Sequence, residues 1–455
     1  MSETRSTRAA GLQHGLSTLE YFTFGFGSMV GVGWVVLMDD WLGRGGPLGA
    51  MLGFLLGGLL LLPIGHTYGR LLTRIQDAGG EIAYTEGVFP PLVSYGAGWI
   101  MILSYAIVCP WEAVAIGNLL ARVFPGLNSY QLYGIGGSPI FAPRLALGIL
   151  MAALITVVNI RGIKLSGLFQ DVMTFGLLAV FATFTVLGFT RGSAANMQPL
   201  FPVGVSPFLS VFLVLQIVPY FMTGFESVAK GSEEAHAGFD PRNFAKAIYS
   251  AIVAGLLFYV IIVAVVTYVF PWPGIVSGHV RTEVAFERAF GSHGIAQLIL
   301  FGAFLSLLKI FNGNFVSSTR MLYAMGKRGL VHRSLGRVHA AHGTPAVAIV
   351  LMAVLTVAGA MLGDAILVPV TEVGSLSVGV GWLSACVAYL VRHRHDHEST
   401  ALAWLGALVA TSIIVMKVVP AVPGSFTQAE WTALAFWLAL GLTFWLARPK
   451  QSAQA

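Results

Sequence analysis

The chain is 455 residues long, 56% hydrophobic and only 10% charged, with a mean hydropathy of +0.79. A soluble core of this size would carry far more surface charge, so composition excludes an ordinary water-soluble domain and points to an integral membrane protein. The net charge of +6 and a pI near 9.3 follow from basic loops and are no sign of nucleic-acid binding.

A bilayer crossing needs about 20 apolar residues. In chain order twelve such stretches are predicted, at about 16–41, 46–70, 92–121, 143–160, 168–189, 207–230, 246–270, 294–324, 344–362, 366–391, 401–419 and 429–447; they are numbered here as spans one to twelve. With the N-terminus inside, eighteen Lys and Arg residues fall on the cytoplasmic side and seven outside, and Lys309 stays within a span. The positive-inside rule then places both termini in the cytoplasm. The polar start, residues 1–15, precedes an apolar run without a small-residue cleavage pattern, so it is expected to be retained as a cytoplasmic segment.

Span one is interrupted by Ser28-Met29-Val30-Gly31-Val32-Gly33, and its outer end carries Asp39 and Asp40. The glycines at 31 and 33 let the backbone leave helical geometry, and the helix restarting after them aims N–H groups at the break, a setting that favours an anion. Alternatively, Gly27 and Gly31 form a GxxxG packing contact. Asp39 and Asp40 read as an interfacial acidic pair, with attraction of cationic cargo as the other reading.

Span three holds Glu112 just after Cys109-Pro110-Trp111; an intramembrane carboxylate must face a cavity or a partner, here Lys309 or a basic substrate group. Cys109 and Cys386 lie in spans and read as small buried hydrophobes, with no disulfide framework or thiolate metal site. The external loops fall near 122–142 and 271–293, the latter with a short helix around Glu283 to Phe290.

Span six is interrupted at Met222-Thr223-Gly224-Phe225-Glu226, the counterpart of the break in span one. A break at membrane depth is tolerable only where protein or a watery cavity takes the freed backbone groups, and paired breaks are how many secondary transporters hold cargo near the midplane. The match in span six favours binding over mere packing in span one. Tyr220 and Phe225 flank the second break and suit an ammonium ion by cation–π attraction, with ordinary aromatic packing as the alternative. Glu226 reads as a structural anchor for N–H groups freed by the break.

Lys309 sits in Leu307-Leu308-Lys309-Ile310-Phe311 of span eight, where a lysine is costly enough to need a reason. The basic run from Lys327-Arg328-Gly329 to Arg337 reads as a solvated, orientation-setting loop. His393, His395 and His397 alternate in a basic loop, read as solvated charge with metal binding as a lesser alternative. No P-loop, metal-ligand cluster or nucleophile triad is present, so neither an enzyme nor a bound cofactor or metal is predicted.

Spans one to five (16–191) and six to ten (207–394) enter the membrane from opposite sides and read as inverted halves, with the last two spans (400–447) peripheral. Further motifs then stand out: Gly79-Gly80-Glu81 followed by Tyr84, Gly98-Trp99, Gly224-Phe225-Glu226, Glu233-Glu234 with Asp240-Pro241-Arg242, and Arg320-Met321-Leu322-Tyr323-Ala324 through Gly329-Leu330 to Gly343-Thr344-Pro345. In this order and spacing the chain resembles the amino acid, polyamine and organocation superfamily over nearly its whole length.

That resemblance implies an all-α membrane protein of 12 transmembrane helices, a five-plus-five inverted repeat shared with sodium symporters, and helices one and six broken. It also implies alternating access and a substrate usually bearing an amino group. The backbone around Val32, Gly33 and Trp34 would bind a carboxylate. Carbonyls near Met29, Tyr220 and Thr223, beside Gly224 and Phe225, would receive an ammonium group. Asn314 would lie beside the substrate, and Lys309 near the position where sodium-coupled relatives hold their cation. One departure is Val32, where related chains often carry a small hydroxyl residue. Proton-coupled relatives often place a lysine in span five; here none lies between Lys164 and Arg191, so Lys309 is expected to load and release the coupling proton, with Glu112 as partner. A lysine that snorkels, or that pairs statically with Glu112 or Glu226, is the other reading.

The expected function is proton-coupled uptake of an amino acid across the cytoplasmic membrane. The alternatives are a transporter or exchanger of an amine or polyamine lacking a carboxylate and, from a different class, a channel or a non-transporting nutrient sensor. The partners expected are a small-molecule substrate, a proton and the lipid bilayer, with no nucleic acid.

Overall fold

The computed structural model describes residues 11–135, 137–363, 367–393, 399–423 and 425–448. His395 and His397, and most of the N-terminal segment 1–15, lie outside the described residues. The described chain is helical apart from a two-stranded antiparallel hairpin, Gln131–Ile135 with Ser138–Phe141, in the loop after span three. Ten of its helices are long and apolar enough to cross a membrane.

Local chemistry accounts for the main boundaries. The first helix, Thr18–Met29, starts on a capping box in which Ser17 and Glu20 satisfy each other's end of the turn. Spans one and two join at Gly46, which adopts φ 62° and presses against Leu200 and Phe201, with Pro47 restarting the helix. Span three divides into Pro91–Ala106 and Val108–Val123, because Pro110 has no N–H to give the carbonyl one turn earlier. The short external helix predicted around Glu283 runs from Thr282 to Phe290.

Spans one and six are interrupted more deeply. Span one is helical over Thr18–Met29, leaves helical geometry at residues 30–32, and resumes at Gly33–Val36. Span six is divided into Pro207–Leu215, Val218–Met222 and Ser227–Lys230. The two irregular segments touch. Gly224, at φ 128°, lies so close to span one that a Cβ there would meet the Ser28 carbonyl carbon at 2.6 Å and the Met29 nitrogen at 2.7 Å. Only glycine allows both the conformation and the approach.

One end of the bundle is tied by ion pairs. Lys230 meets Glu81 at 2.6 Å, both fully buried, and the Arg320 guanidinium grips Glu234 with two bonds, at 2.9 and 3.1 Å, also fully buried. Arg328 bridges Asp77 and Glu86 at 2.8 Å each. Burial raises the Glu234 carboxyl above the usual carboxylate range against the pull of Arg320. The N-terminal segment lies across this end through backbone bonds: the Gly15 and Leu16 N–H groups donate to the Glu234 carbonyl, the His236 N–H donates back to the Leu16 carbonyl, and the Gln13 N–H donates to the Gly343 carbonyl. The basic run at 327–337 is therefore not simply a solvated loop, since Arg328 is only 14% exposed and doubly paired. The opposite end, which carries the hairpin and the Thr282–Phe290 helix, is called the hairpin end below.

Removing one partner of a buried ion pair strands the other charge, whereas replacing both with apolar groups of similar volume is often close to neutral. Glu234→Gln should therefore lower stability by about 3–5 kcal/mol, read as a large fall in apparent melting temperature in detergent. The double variant Arg320→Met/Glu234→Leu should recover most of that loss.

Candidate functional site

The breaks release backbone carbonyls and N–H groups in a setting without bulk water, and their partners define the site. On the carbonyl side of the first break, the Lys309 ammonium donates to Gly27 O at 3.2 Å and to Val30 O. Ser306 places its hydroxyl 2.9 Å from both Val30 O and Gly31 O. Tyr259 stands within hydrogen-bonding distance of a carbonyl from each break, Met29 O at 3.3 Å and Phe221 O at 3.1 Å. Lys309 also sits 5.4 Å from the centre of the Phe26 ring and is fully buried. Glu226 anchors the second break: it accepts from the Gly224 N–H at 3.0 Å, the Thr223 hydroxyl at 2.7 Å and the Tyr105 hydroxyl at 3.2 Å.

The N–H side of the first break is different. Val35 and Val36 donate to Val32 O and Leu37 donates to Gly33 O, but among the described residues no acceptor takes the N–H groups of Val32, Gly33 or Trp34. These are the free donors of a helix start.

A small cavity of about 30 Å³ lies where the breaks meet, bounded by spans one, three, six and eight. It has room for about two water molecules. Of the residues singled out in the sequence, Met29, Val32, Gly33, Tyr220, Thr223, Asn314 and Glu112 line it. Glu112 is buried, and its Oε2 has no hydrogen-bond partner. Asn314 spends its amide donor on Ile310 O at 2.8 Å, which leaves its carbonyl oxygen for the cavity.

Several predicted residues stand back from it. The Trp34 ring stacks on Phe184 at 5.4 Å, and its carbonyl accepts from Thr282 at 2.7 Å; only its backbone N–H belongs to the break. Phe225 stacks on Trp382 at 5.5 Å and meets Tyr68 edge-on. Phe221 lines the cavity in its place, together with Trp111 and Ile310. Gly224 serves the approach of the two spans rather than the lining. Lys309 has no ion pair with Glu112 or Glu226, and its donors go to backbone carbonyls. Asp39 lies 2.9 Å from His279, and Asp40 pairs with Arg44 at 2.8 Å, both toward the hairpin end. His393 is buried and stacks on Tyr389 at 3.9 Å; among the described residues no group of three or more His, Cys, Asp or Glu is placed to hold a metal.

Sequence reasoning missed Tyr259 and Ser306, which take the carbonyls of the first break. The signal was present but faint: each is a polar tip in an apolar span, and a buried hydroxyl must find a partner.

Comparison with known proteins identifies the family. The family model for amino acid permeases matches residues 16–445. The branched-chain amino acid permease BcaP of Bacillus subtilis (strain 168) is 25% identical over 381 residues, covering 83% of this chain and 79% of the relative. The methylthioribose transporter of the same organism is 24% identical over 346 residues, with 74% and 73% covered. Its amino-acid permease RocE is 24% identical over 408 residues, with 84% and 81% covered. A match of this extent, over a helical membrane chain, makes the protein a multi-pass permease for small molecules rather than an enzyme, and the chain belongs to the amino acid permease family.

Proposed function

We propose that the protein is a proton-coupled amino acid permease of the cytoplasmic membrane, taking up one small zwitterion per cycle by alternating access. The observation that carries this reading is the division of labour at the first break. Its carbonyls are claimed by Lys309, Ser306 and Tyr259, while three N–H groups at residues 32–34 are left for an anion. A cargo carboxylate suits those donors, and the ammonium end would lie toward Thr223, Tyr220 and the Glu112 carboxylate. Val32 lacks the hydroxyl common in relatives, so the carboxylate would depend on backbone donors alone. Asn314 supplies a further acceptor.

Proton coupling would run through Lys309. While protonated, its ammonium ties span eight to the first break as a bound cation would; when the proton leaves, the charge that holds those two carbonyls goes with it. Glu112 lines the same cavity and is the nearest candidate to share or relay that proton.

The topology goes with this reading. In this reading the broken sixth stretch and the fifteen-residue helix Ala346–Ala360 would join the ten long helices as the remaining two of twelve spans, arranged as a five-plus-five inverted repeat with both termini in the cytoplasm. The ion-paired end is then cytoplasmic and closed. The central cavity is too small for an amino acid as it stands, so cargo entry requires Tyr220, Phe221 and Trp111 to give way.

A transporter of amines lacking a carboxylate is the second reading, favoured by the unpartnered Glu112 oxygen. In liposomes containing only this protein, L-alanine should accumulate saturably. Ethylamine, its decarboxylated counterpart, should compete more than about tenfold more weakly, because donors built for a carboxylate would be left unpaired. Equal competition would favour the amine reading, and flux without saturation would favour a channel. Lys309→Ala should abolish the response of uptake to an imposed pH gradient while alanine exchange persists; a normal response would remove Lys309 from the coupling.

A further inference from the structure

Between the central cavity and the hairpin end lie two hollows, of about 600 and 390 Å³, which share Val36 and Trp111 as their common wall. They differ in charge. The larger is lined by Arg122, Arg144 and Arg281. Among the described residues only Arg122 of these three has a carboxylate partner, Glu283 at 3.2 Å. Arg144 is held by the neutral amides of Asn118 and Asn128, and Arg281 is exposed with no acceptor among the described residues. The smaller hollow is lined by Asp40, Glu372 and Arg44. Asp40 is matched by Arg44, which meets both of its oxygens, and Glu372 by Lys417, so this lobe is near neutral and carries no unmatched cation.

The two lobes lead to different parts of the central cavity. The arginine lobe shares Val32 with it, at the unclaimed N–H groups. The carboxylate lobe shares Leu37, Tyr220 and Phe221 with it, on the side of the second break. The positive hollow therefore opens at the N–H side of the site beneath, and the near-neutral one at the side of the second break.

We propose that these hollows form an outer binding site for a zwitterion, in which Arg281 and Arg144 take the carboxylate and the Asp40–Glu372 lobe takes the ammonium end, so that cargo enters the central cavity already oriented. The proposal rests on the amino acid reading above and extends it to residues outside the breaks. Two unmatched guanidinium charges over a low-dielectric wall concentrate carboxylates and repel amines, so selection for zwitterions begins here. The two lobes lie on either side of Trp111, whose indole would be the floor over which the cargo turns inward.

Arg281 is exposed and unpaired, so it can be changed without removing a structural contact. Purified protein at low ionic strength should be treated with phenylglyoxal, and the modification of Arg281 read by peptide mass spectrometry. L-Alanine and propionate should slow labelling of Arg281 several-fold, ethylamine should not, and high salt should erase the protection by screening. Equal labelling with and without propionate, or equal protection by ethylamine, would overturn the proposal. In proteoliposomes, Arg281→Glu should raise the alanine KM by about tenfold at low salt, with the gap closing at high salt and Arg281→Lys staying near wild type. An unchanged KM for Arg281→Glu at low salt would equally overturn it. If the protein takes up ethylamine but not alanine while propionate still protects Arg281, the amino acid reading fails and the carboxylate site stands.

Discussion

Everything in this structure turns on backbone groups that lose their helical partners inside a bilayer. Each would cost several kcal/mol if left dry, so a chain that breaks two helices at depth must supply replacements. Here the replacements come from span seven through Tyr259, span eight through Ser306 and Lys309, and span six itself through Glu226. Tyr259 is the economical case, since one hydroxyl stands between a carbonyl from each break. The contact of Gly224 with Ser28 and Met29 brings the breaks close enough for this sharing.

The two ends of the bundle are unequal in a way that suits a gated path. At the end covered by the N-terminal segment, two fully buried ion pairs and the partly buried Arg328–Asp77 pair join residues 77–86, 230–234 and 320–328, regions far apart in the chain. Breaking such pairs is expensive while they stay dry and cheap once water reaches them. In the proposed alternating-access cycle such a seal would be stable when shut and would be released once water reached it. At the hairpin end the charged groups line open hollows instead, where water already screens them.

Most of the fold was legible in the sequence because apolar length and glycine placement are local signals. The broken first and sixth stretches, the Thr282–Phe290 helix and the burial of Lys309 and Glu112 all follow from what a bilayer tolerates. Partners were not legible. Glu81, Glu234, Arg320 and Arg328 stood out as motif residues, yet nothing in their spacing says that they pair with one another or with Lys230. Phe225 and Phe221 are both aromatic neighbours of the break, and only the backbone turn at Gly224, φ 128°, decides that Phe221 faces the cavity while Phe225 packs behind it. The hairpin at 131–141 was hidden for a similar reason, because its strands are short and bury little.

The first break also bears on what it can hold. A broken helix exposes acceptors on one side and donors on the other, and a site that left both open could take either a cation or an anion. In this chain the acceptors are already occupied by the protein's own ammonium and hydroxyl groups, which leaves donors only. A free amine would have to displace Lys309 or rely on the second break and Glu112 alone, whereas in the proposed binding mode an amino acid would meet unclaimed N–H groups with its carboxylate and a carboxylate side chain with its ammonium. On the proposed reading the same lysine would narrow the cargo, because by filling the carbonyl side it leaves the break complementary to molecules that bring a negative charge of their own.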